Sequence, residues 1–534
     1  MSNSIDFHAL VRRGIRGIFV LLLASGAAHA AIPASEQQAL LDLYTSTNGP
    51  GWTTSTNWNG AVGTECTWYG VTCNVAQTAV TQITLDSNHL VGPLPASLGT
   101  LTGMINLSLN SNQLSGSVPS FATNPALKYL SLNYNQLTGS LPSFATNAAL
   151  QDLNLRSNRL SGSIPSFAAN THLVFLDLYS NQLSGSIPSF ASNSELMELT
   201  FANNQLSGSI PSFASNFQLF DLYLDSNQLS GSIPSFAGDD MLTNLSLSSN
   251  QLSGSIPSFA SNTELTFLNL SSNQLTGSIP SFAANTTLAD LFLGPNQLSG
   301  SIPSFATNTN LQILFLSGNQ LSGAIPSFST NTNLGLLALA SNKLSGPVDP
   351  SLGTLTNLYA ASGLDLRWNA LSSTDATLIA FLNSKQAGGD WQGTQTIPVT
   401  GLSVSGITET QATVNWTPIA YTADSGSYQV LTAAASGGPY TPFATVTPNK
   451  SATSLTVTGL APGTPYFFTV QTTTAPHANN QNTVLSGQSA ELRAVTTGVP
   501  QEPAQVPAAG TTALLVFAGL LSTLGALRVT RTSQ

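Results

Sequence analysis

Only 7% of the 534 residues are charged, against about 25% in ordinary soluble domains, so Ser, Thr, Asn, Gln and Gly must supply most of the wetted surface. The net charge is −10, and between Leu160 and Asn342 nine acids face no Lys or Arg. A negative field of that extent repels phosphate backbones and excludes nucleic acid as a partner, leaving cationic and neutral ligands.

The chain opens with Arg12, Arg13 and Arg16, an apolar run from Ile18 to Ala24, and then Ala28-His29-Ala30. That order predicts an export signal over residues 1–30, cleaved before Ala31. Glu36 to Tyr44 reads as a short amphipathic helix with Ala39, Leu40 and Leu43 on one face and Ser35 at the N-cap position. Trp52, Trp58 and the run Cys66-Thr-Trp-Tyr-Gly-Val-Thr-Cys73 complete an entry cap over residues 31–79. In an oxidising compartment Cys66 and Cys73 pair, which stabilises a lid with little core of its own. Six intervening residues suit neither a redox pair nor a metal site.

From residue 80 to 370 one phrase recurs, N-Q-L-S-G-S-I-P-S-F-A-x-N-x-x-L-x-x-L-x-L, and from Asn112 to Asn342 an asparagine returns every 23 residues. A fixed period of this length predicts a solenoid, each turn packing on its neighbours. The L-x-x-L-x-L-x-x-N frame predicts an α/β-type leucine-rich repeat with a parallel sheet on the concave side and an irregular or 3-10 convex side. Asn88, Asn112, Asn135, Asn158, Asn181, Asn204, Asn227, Asn250, Asn273, Asn296, Asn319, Asn342 and Asn369 hold the ladder position. Each amide is expected to satisfy backbone groups at the bend after the strand. Ten phenylalanines from Phe121 to Phe328 share the period and are expected to fill the convex half of the core.

After Asn369 a capped helix with Leu378, Ile379, Phe381 and Leu382 facing inward, together with Asp390-Trp391, forms an exit cap over residues 371–395. Residues 396–497 change to alternating Val and Thr runs (413–416, 427–431, 454–458, 466–472), which predicts an all-β antiparallel sandwich. A Pro, Gln and Ala linker at 498–510 leads to an uncharged apolar segment at 511–527, then Arg528, Arg531 and the end of a short tail, 528–534. The apolar segment is long enough to span a bilayer, and the basic residues place the N-terminal part outside. The expected location is therefore an exported protein at the cell surface or a periplasm-facing membrane, single-pass.

Three resemblances attach to these segments. The repeat with S-G-x-I-P, and the Cys66 to Cys73 run, resemble plant-type leucine-rich repeats and their N-terminal cap, found in receptor ectodomains and in inhibitors of secreted glycosidases. The turn S-F-A-x-N-x-x-L is one residue shorter than the plant form, and with the rest of the chain it points to a bacterial relative. Trp416 and Leu460-Ala-Pro-Gly-Thr-Pro-Tyr466 resemble fibronectin type III, which implies a Tyr466 hydroxyl bonded to backbone at that corner. Val506-Pro507, the apolar segment and Arg528 resemble a C-terminal sorting tail of Gram-negative surface proteins.

Chemistry is sparse. His89, His172 and His477 are the histidines beyond residue 30 and lie far apart; no metalloprotease, nucleophile-elbow or phosphate-loop motif appears. The acids of Gly238-Asp239-Asp240 read as solvated surface groups. No enzyme activity, cofactor or metal is expected. The repeats differ mainly at the outward x positions of the strand, where the chain carries Tyr129, Tyr134, Asp152, Arg156, Phe175, Asp177, Tyr179, Glu198, Asp221, Tyr223 and Asp225. A second group is Phe267, Asp290, Phe292 and Phe315. Exposed aromatics beside acids are expected to anchor a protein, peptide or carbohydrate ligand. Two functions follow: a membrane-tethered binding or adhesion protein, or an inhibitor or receptor ectodomain recognising a secreted enzyme or peptide.

Overall fold

The computed structural model describes residues 31–499; the expected export signal and the apolar segment with its basic tail lie outside them. Among the described residues no helix is long and apolar enough to cross a membrane. The chain divides between Gln228 and Leu229 into two compact units.

The first unit begins with α1 (Ala34–Ser46), whose N-cap is Pro33 and not Ser35. The helix starts two residues earlier than its polar signal because Pro33 already sets an extended entry, leaving Ser35 inside the first turn. Ala39, Leu40 and Leu43 are fully buried, as expected, but Glu36 is buried with them. Its Oε2 accepts from the Val80 N–H at 2.7 Å, tying the cap to the first repeat strand. Tyr44, Trp52, Trp58 and Trp68 pack ring to ring, with centroids 4.8–6.0 Å apart. Cys66 and Cys73 are disulfide-bonded.

The repeats then lay down short strands paired in parallel: Val80–Thr84, Asn106–Ser108, Tyr129–Ser131, Asp152–Asn154, Phe175–Asp177, Glu198–Thr200 and Asp221–Tyr223. The inward residue of each strand, Ile83 in the first and the central leucine in the others, is fully buried, so its neighbours must point out. After each strand the chain bends through a left-handed residue, Tyr134 (φ 53°) or Ser180 (φ 54°) for example. The ladder asparagine closes this bend. Asn135 donates through Nδ2 to the carbonyls of Leu109 and Leu132, both at 3.0 Å, and its Oδ1 accepts from Leu114 N–H. Phe144, Phe167, Phe190 and Phe213 stack at 6.1–6.4 Å with rings within 16° of parallel.

A second asparagine ladder went unread in the sequence. The Asn of S-F-A-x-N, at 124, 147, 170, 193 and 216, is fully buried. Asn147 donates to the carbonyls of Phe121 and Asn124, both at 2.9 Å.

The second unit repeats the design through Asn244–Ser246, Phe267–Asn269, Asp290–Phe292, Ile313–Phe315, Leu336–Ala338 and Leu364–Asp365. Here the second ladder runs Asp239, Asn262, Asn285, Asn308 and Asn331, all fully buried. Asp239 is therefore not a solvated surface acid: it stands on an asparagine rung, and neither carboxyl oxygen has a hydrogen-bond partner. The exit helix α2 (Ala376–Lys385) is capped by the Asp375 carboxylate. Leu378 and Leu382 are buried, but Ile379 and Phe381 are only half-buried. One i, i+4 pair is all that so short a helix turns onto the core. Trp391 is fully buried.

The sandwich packs a three-stranded sheet against a five-stranded one around Val414, Trp416, Tyr428, Val430, Val457, Phe468 and Val470. The hydroxyl of Tyr466 accepts from Ala461 N–H at 3.0 Å, as the corner motif implies. At its base Lys450 and Asp424 form a fully buried ion pair, with Lys450 Nζ also donating to Thr474 at 3.0 Å. Burial pushes the Lys450 ammonium down while the Asp424 carboxylate opposes that shift.

The sandwich is not a free spacer. Its loop at 477–482 is hydrogen-bonded to the last repeats within this unit. Asn480 Nδ2 donates to the carbonyls of Trp368 (2.8 Å) and Asn342 (3.2 Å), and Asn482 Nδ2 to that of Asn319 (2.6 Å). The Ser341 hydroxyl donates to the carbonyl of Asn479.

Candidate functional site on the outward strand faces

In the first unit the strand register assembles the variable residues into columns. Tyr129, Asp152, Phe175, Glu198 and Asp221 stand opposite one another, turn after turn. Ser131, Asn154, Asp177, Thr200 and Tyr223 form the next column. Arg156, Tyr179 and Asp225 follow the strand ends, two residues further along, and Tyr134 lies at the left-handed bend. Ten of the eleven residues predicted from the sequence flank an inward leucine and so face outward from the strands of this unit, while Tyr134 lies beyond them at the bend. Tyr129 and Tyr134 are exposed at 41% and 50%, and the other nine are half-buried.

The side chains interlock. The Arg156 guanidinium lies over the Tyr179 ring at 4.5 Å, 5.9 Å from the Tyr134 ring and 3.9 Å from the Asp177 carboxylate. Tyr129 donates to Gln151 Oε1 at 2.9 Å. Burial, with the carboxylates of Asp221, Glu198 and Asp225 around it, pushes the Tyr223 phenol well above its ordinary range. The face thus carries five carboxylates and one guanidinium. Such a surface can hold an extended ligand by aromatic contact and attract positive charge. Among the described residues no three His, Cys, Asp or Glu side chains cluster to hold a metal ion.

In the second unit the corresponding columns read Asn244, Phe267, Asp290, Ile313, Leu336 and Ser246, Asn269, Phe292, Phe315, Ala338. Phe292 lies 5.8 Å from Phe267 and 6.4 Å from Phe315, ring to ring. Asp290 stands between Phe267 and Ile313; its Oδ1 is buried with no hydrogen-bond partner, and burial raises its carboxyl above the usual range.

Comparison with known proteins matches the modules. Residues 33–74 match the leucine rich repeat N-terminal domain, six segments between 126 and 331 match the leucine rich repeat, and residues 397–485 match the fibronectin type III domain. Over 105 residues the chain is 37% identical to the receptor protein kinase WSS1 of Oryza sativa subsp. japonica, covering 20% of this chain and 11% of that protein. Over 97 residues it is 34% identical to the receptor-like kinase TMK4 of Arabidopsis thaliana, covering 18% and 10%. The matched segments thus span about a tenth of these curated relatives. Among solved structures, the Arabidopsis receptor kinase HAESA, in complex with the peptide hormone IDA and the co-receptor SERK1, aligns at TM-score 0.55 and 30% identity over 66% of this chain and 61% of that one. The ectodomain of the Arabidopsis thaliana receptor kinase GASSHO1/SCHENGEN3, in complex with CASPARIAN STRIP INTEGRITY FACTOR 2, aligns at 0.51 and 28% over 65% and 49%. The chain is a leucine-rich repeat solenoid followed by a fibronectin type III sandwich, similar in its repeats to plant receptor ectodomains.

Proposed function

We propose that the chain is an exported binding protein whose outward strand face in the first unit holds a protein or peptide ligand. The observation that carries this reading is the assembly of variable aromatic and acidic residues into adjacent columns, with Arg156, Tyr179 and Asp225 just past the strand ends, on an otherwise repetitive surface. The structural neighbour HAESA supports the ligand class, since its crystal structure holds the peptide hormone IDA. Cell-surface tethering through residues 511–527, adhesion, and the bacterial origin rest on the sequence pattern. A receptor ectodomain or inhibitor directed at a secreted peptide or enzyme is the alternative use of the same face.

The test is a peptide and glycan array probed with the exported chain, followed by the double substitution Tyr179→Ala, Tyr223→Ala on whichever ligand is found. Anchoring aromatics of this kind are worth about 2 kcal/mol or more on truncation. Unchanged binding with an intact fold refutes the assignment of this face.

A further inference from the structure

The strand face carries the same three-part arrangement more than once. In the first unit the guanidinium of Arg156 sits between a carboxylate, Asp177 at 3.9 Å, and an aromatic ring, Tyr179 at 4.5 Å. In the second unit Arg367 is held by both oxygens of Asp365, at 2.8 and 2.7 Å, and lies 4.6 Å from the Trp368 ring. A guanidinium placed beside a carboxylate and over an aromatic face, hydrogen-bonded to the acid in Arg367 and at ion-pair distance in Arg156, is an arrangement that planar cation favours.

Around Asp290 two of the three parts are present and the cation is missing. Phe267, Phe292 and Phe315 supply the rings, and Ile313 and Leu336 extend the apolar floor. Asp290 supplies a carboxylate whose Oδ1 is buried and unpartnered. From Asn244 to Leu336 and from Ser246 to Ala338 no other residue of its two columns carries a charge, and Asp365, opposite Ala338 on the next strand, is already paired with Arg367. No Lys or Arg occurs anywhere from Leu160 to Asn342, so the intervening sequence supplies no counter-charge. A carboxylate with one oxygen buried and unpaired costs stability unless a cation arrives from outside.

We propose that the Phe267–Asp290–Phe292–Phe315 patch is a second binding site, and that it takes an arginine side chain of an extended partner peptide with apolar neighbours. The guanidinium pairs with Asp290 and stacks on the phenylalanine rings, completing the arrangement that Arg156 and Arg367 complete internally. The flanking side chains of the peptide lie on Phe315, Ile313 and Leu336. The site goes beyond the ligand face proposed for the first unit and does not need it.

The experiment compares two fluorescently labelled, end-capped probes, Leu–Arg–Leu and its uncharged isostere Leu–citrulline–Leu, by anisotropy titration against three forms of the exported chain: unmodified, Asp290→Asn, and Tyr179→Ala with Tyr223→Ala. Asparagine already fills the same strand position at Asn106 and Asn244, so Asp290→Asn preserves the fold, and circular dichroism checks this. The unmodified chain should bind the arginine probe about tenfold tighter than the citrulline probe. Asp290→Asn should lose most of that preference, keeping only what the acidic face of the first unit contributes, while the tyrosine variant keeps it. Equal binding of the two probes by the unmodified chain, or a preference undiminished by Asp290→Asn, overturns the proposal. A preference lost only in the tyrosine variant moves the cation site to the first unit and overturns it as well.

Discussion

Replacing Asp239 with Asn should stabilise the protein, and by an amount that depends on pH. On every other rung of the second ladder in this unit the side chain is an amide: Asn262 donates to the carbonyls of Phe236 and Asp239 at 2.9 and 2.8 Å, and Asn285 to those of Phe259 and Asn262 at 2.9 and 2.7 Å. A carboxylate has no proton to donate, and Asp239 is fully buried with both oxygens unpartnered. Burial first, and then the neighbouring Asp240, raise its carboxyl from 3.8 to about 7. Because the folded chain holds this proton more tightly than the unfolded chain, the group's favourable contribution is complete below pH 4 and disappears as the pH rises towards 7. At 1.36 kcal/mol per pH unit, the loss across that window is about 4 kcal/mol. The Asn variant has no such loss. The difference in unfolding free energy between the two proteins should therefore be small at pH 4 and grow to about 4 kcal/mol in favour of the variant above pH 7. Chemical denaturation at pH 4, 5.5, 7 and 8 measures it, with amide exchange of residues 236–246 as the local readout. A difference that stays flat across this range, or a variant less stable than the parent at pH 8, refutes the reasoning.

Two further predictions concern the amide contacts. Asn112→Ala removes donors to the carbonyls of Leu85, Leu109 and Asn110 and the acceptor for Asn88 and Leu90 N–H; it should cost about 1–3 kcal/mol or more by denaturant titration, since it strands buried backbone groups. Asn480→Ala with Asn482→Ala removes the bonds to Asn319, Asn342 and Trp368, so a single thermal transition of sandwich and last repeats should split into two in calorimetry, while the sandwich keeps its own core.

Most of the fold was readable because solenoid chemistry is local and repeated. The ladder asparagines, the phenylalanine stack and the strand leucines each follow from one turn packing on the next, so a single repeat contains the rule. Ten of the eleven face residues were readable for the same reason: a strand with an inward leucine leaves its neighbours nowhere to point but out. Asp239 was misread because Gly-Asp-Asp resembles a surface loop, whereas its offset from Phe236 matches that of Asn262 from Phe259. Its signal was register, not composition. Glu36 was missed because its partner, Val80 N–H, lies 44 residues away. The sandwich contact was beyond reach for a stronger version of the same reason. Asn480 and Asn482 meet carbonyls 112 to 163 residues distant, and nothing periodic marks the loop that carries them.

The distribution of variation among near-identical turns bears on how such a surface acquires specificity. A substitution on the inward leucines, either asparagine ladder or the phenylalanine stack disturbs two neighbouring turns at once. A substitution at the outward strand positions disturbs only its cross-strand neighbours, which interact weakly, at about 0.2–1 kcal/mol per pair. Duplicated turns can therefore diverge freely there and almost nowhere else. Free divergence alone does not account for what accumulated. Idle positions on an uncharged Ser, Thr and Asn surface have no reason to gather aromatic rings beside carboxylates, because such rings lower solubility and half-buried carboxylates lower stability. Arg156 and Arg367 show how the face settles that conflict when a cation is at hand. Asp290 keeps the conflict open, with its carboxyl pushed up by burial and one oxygen unpaired. A position that costs stability in the free protein, on a surface otherwise able to change without penalty, is best explained by a partner that relieves it.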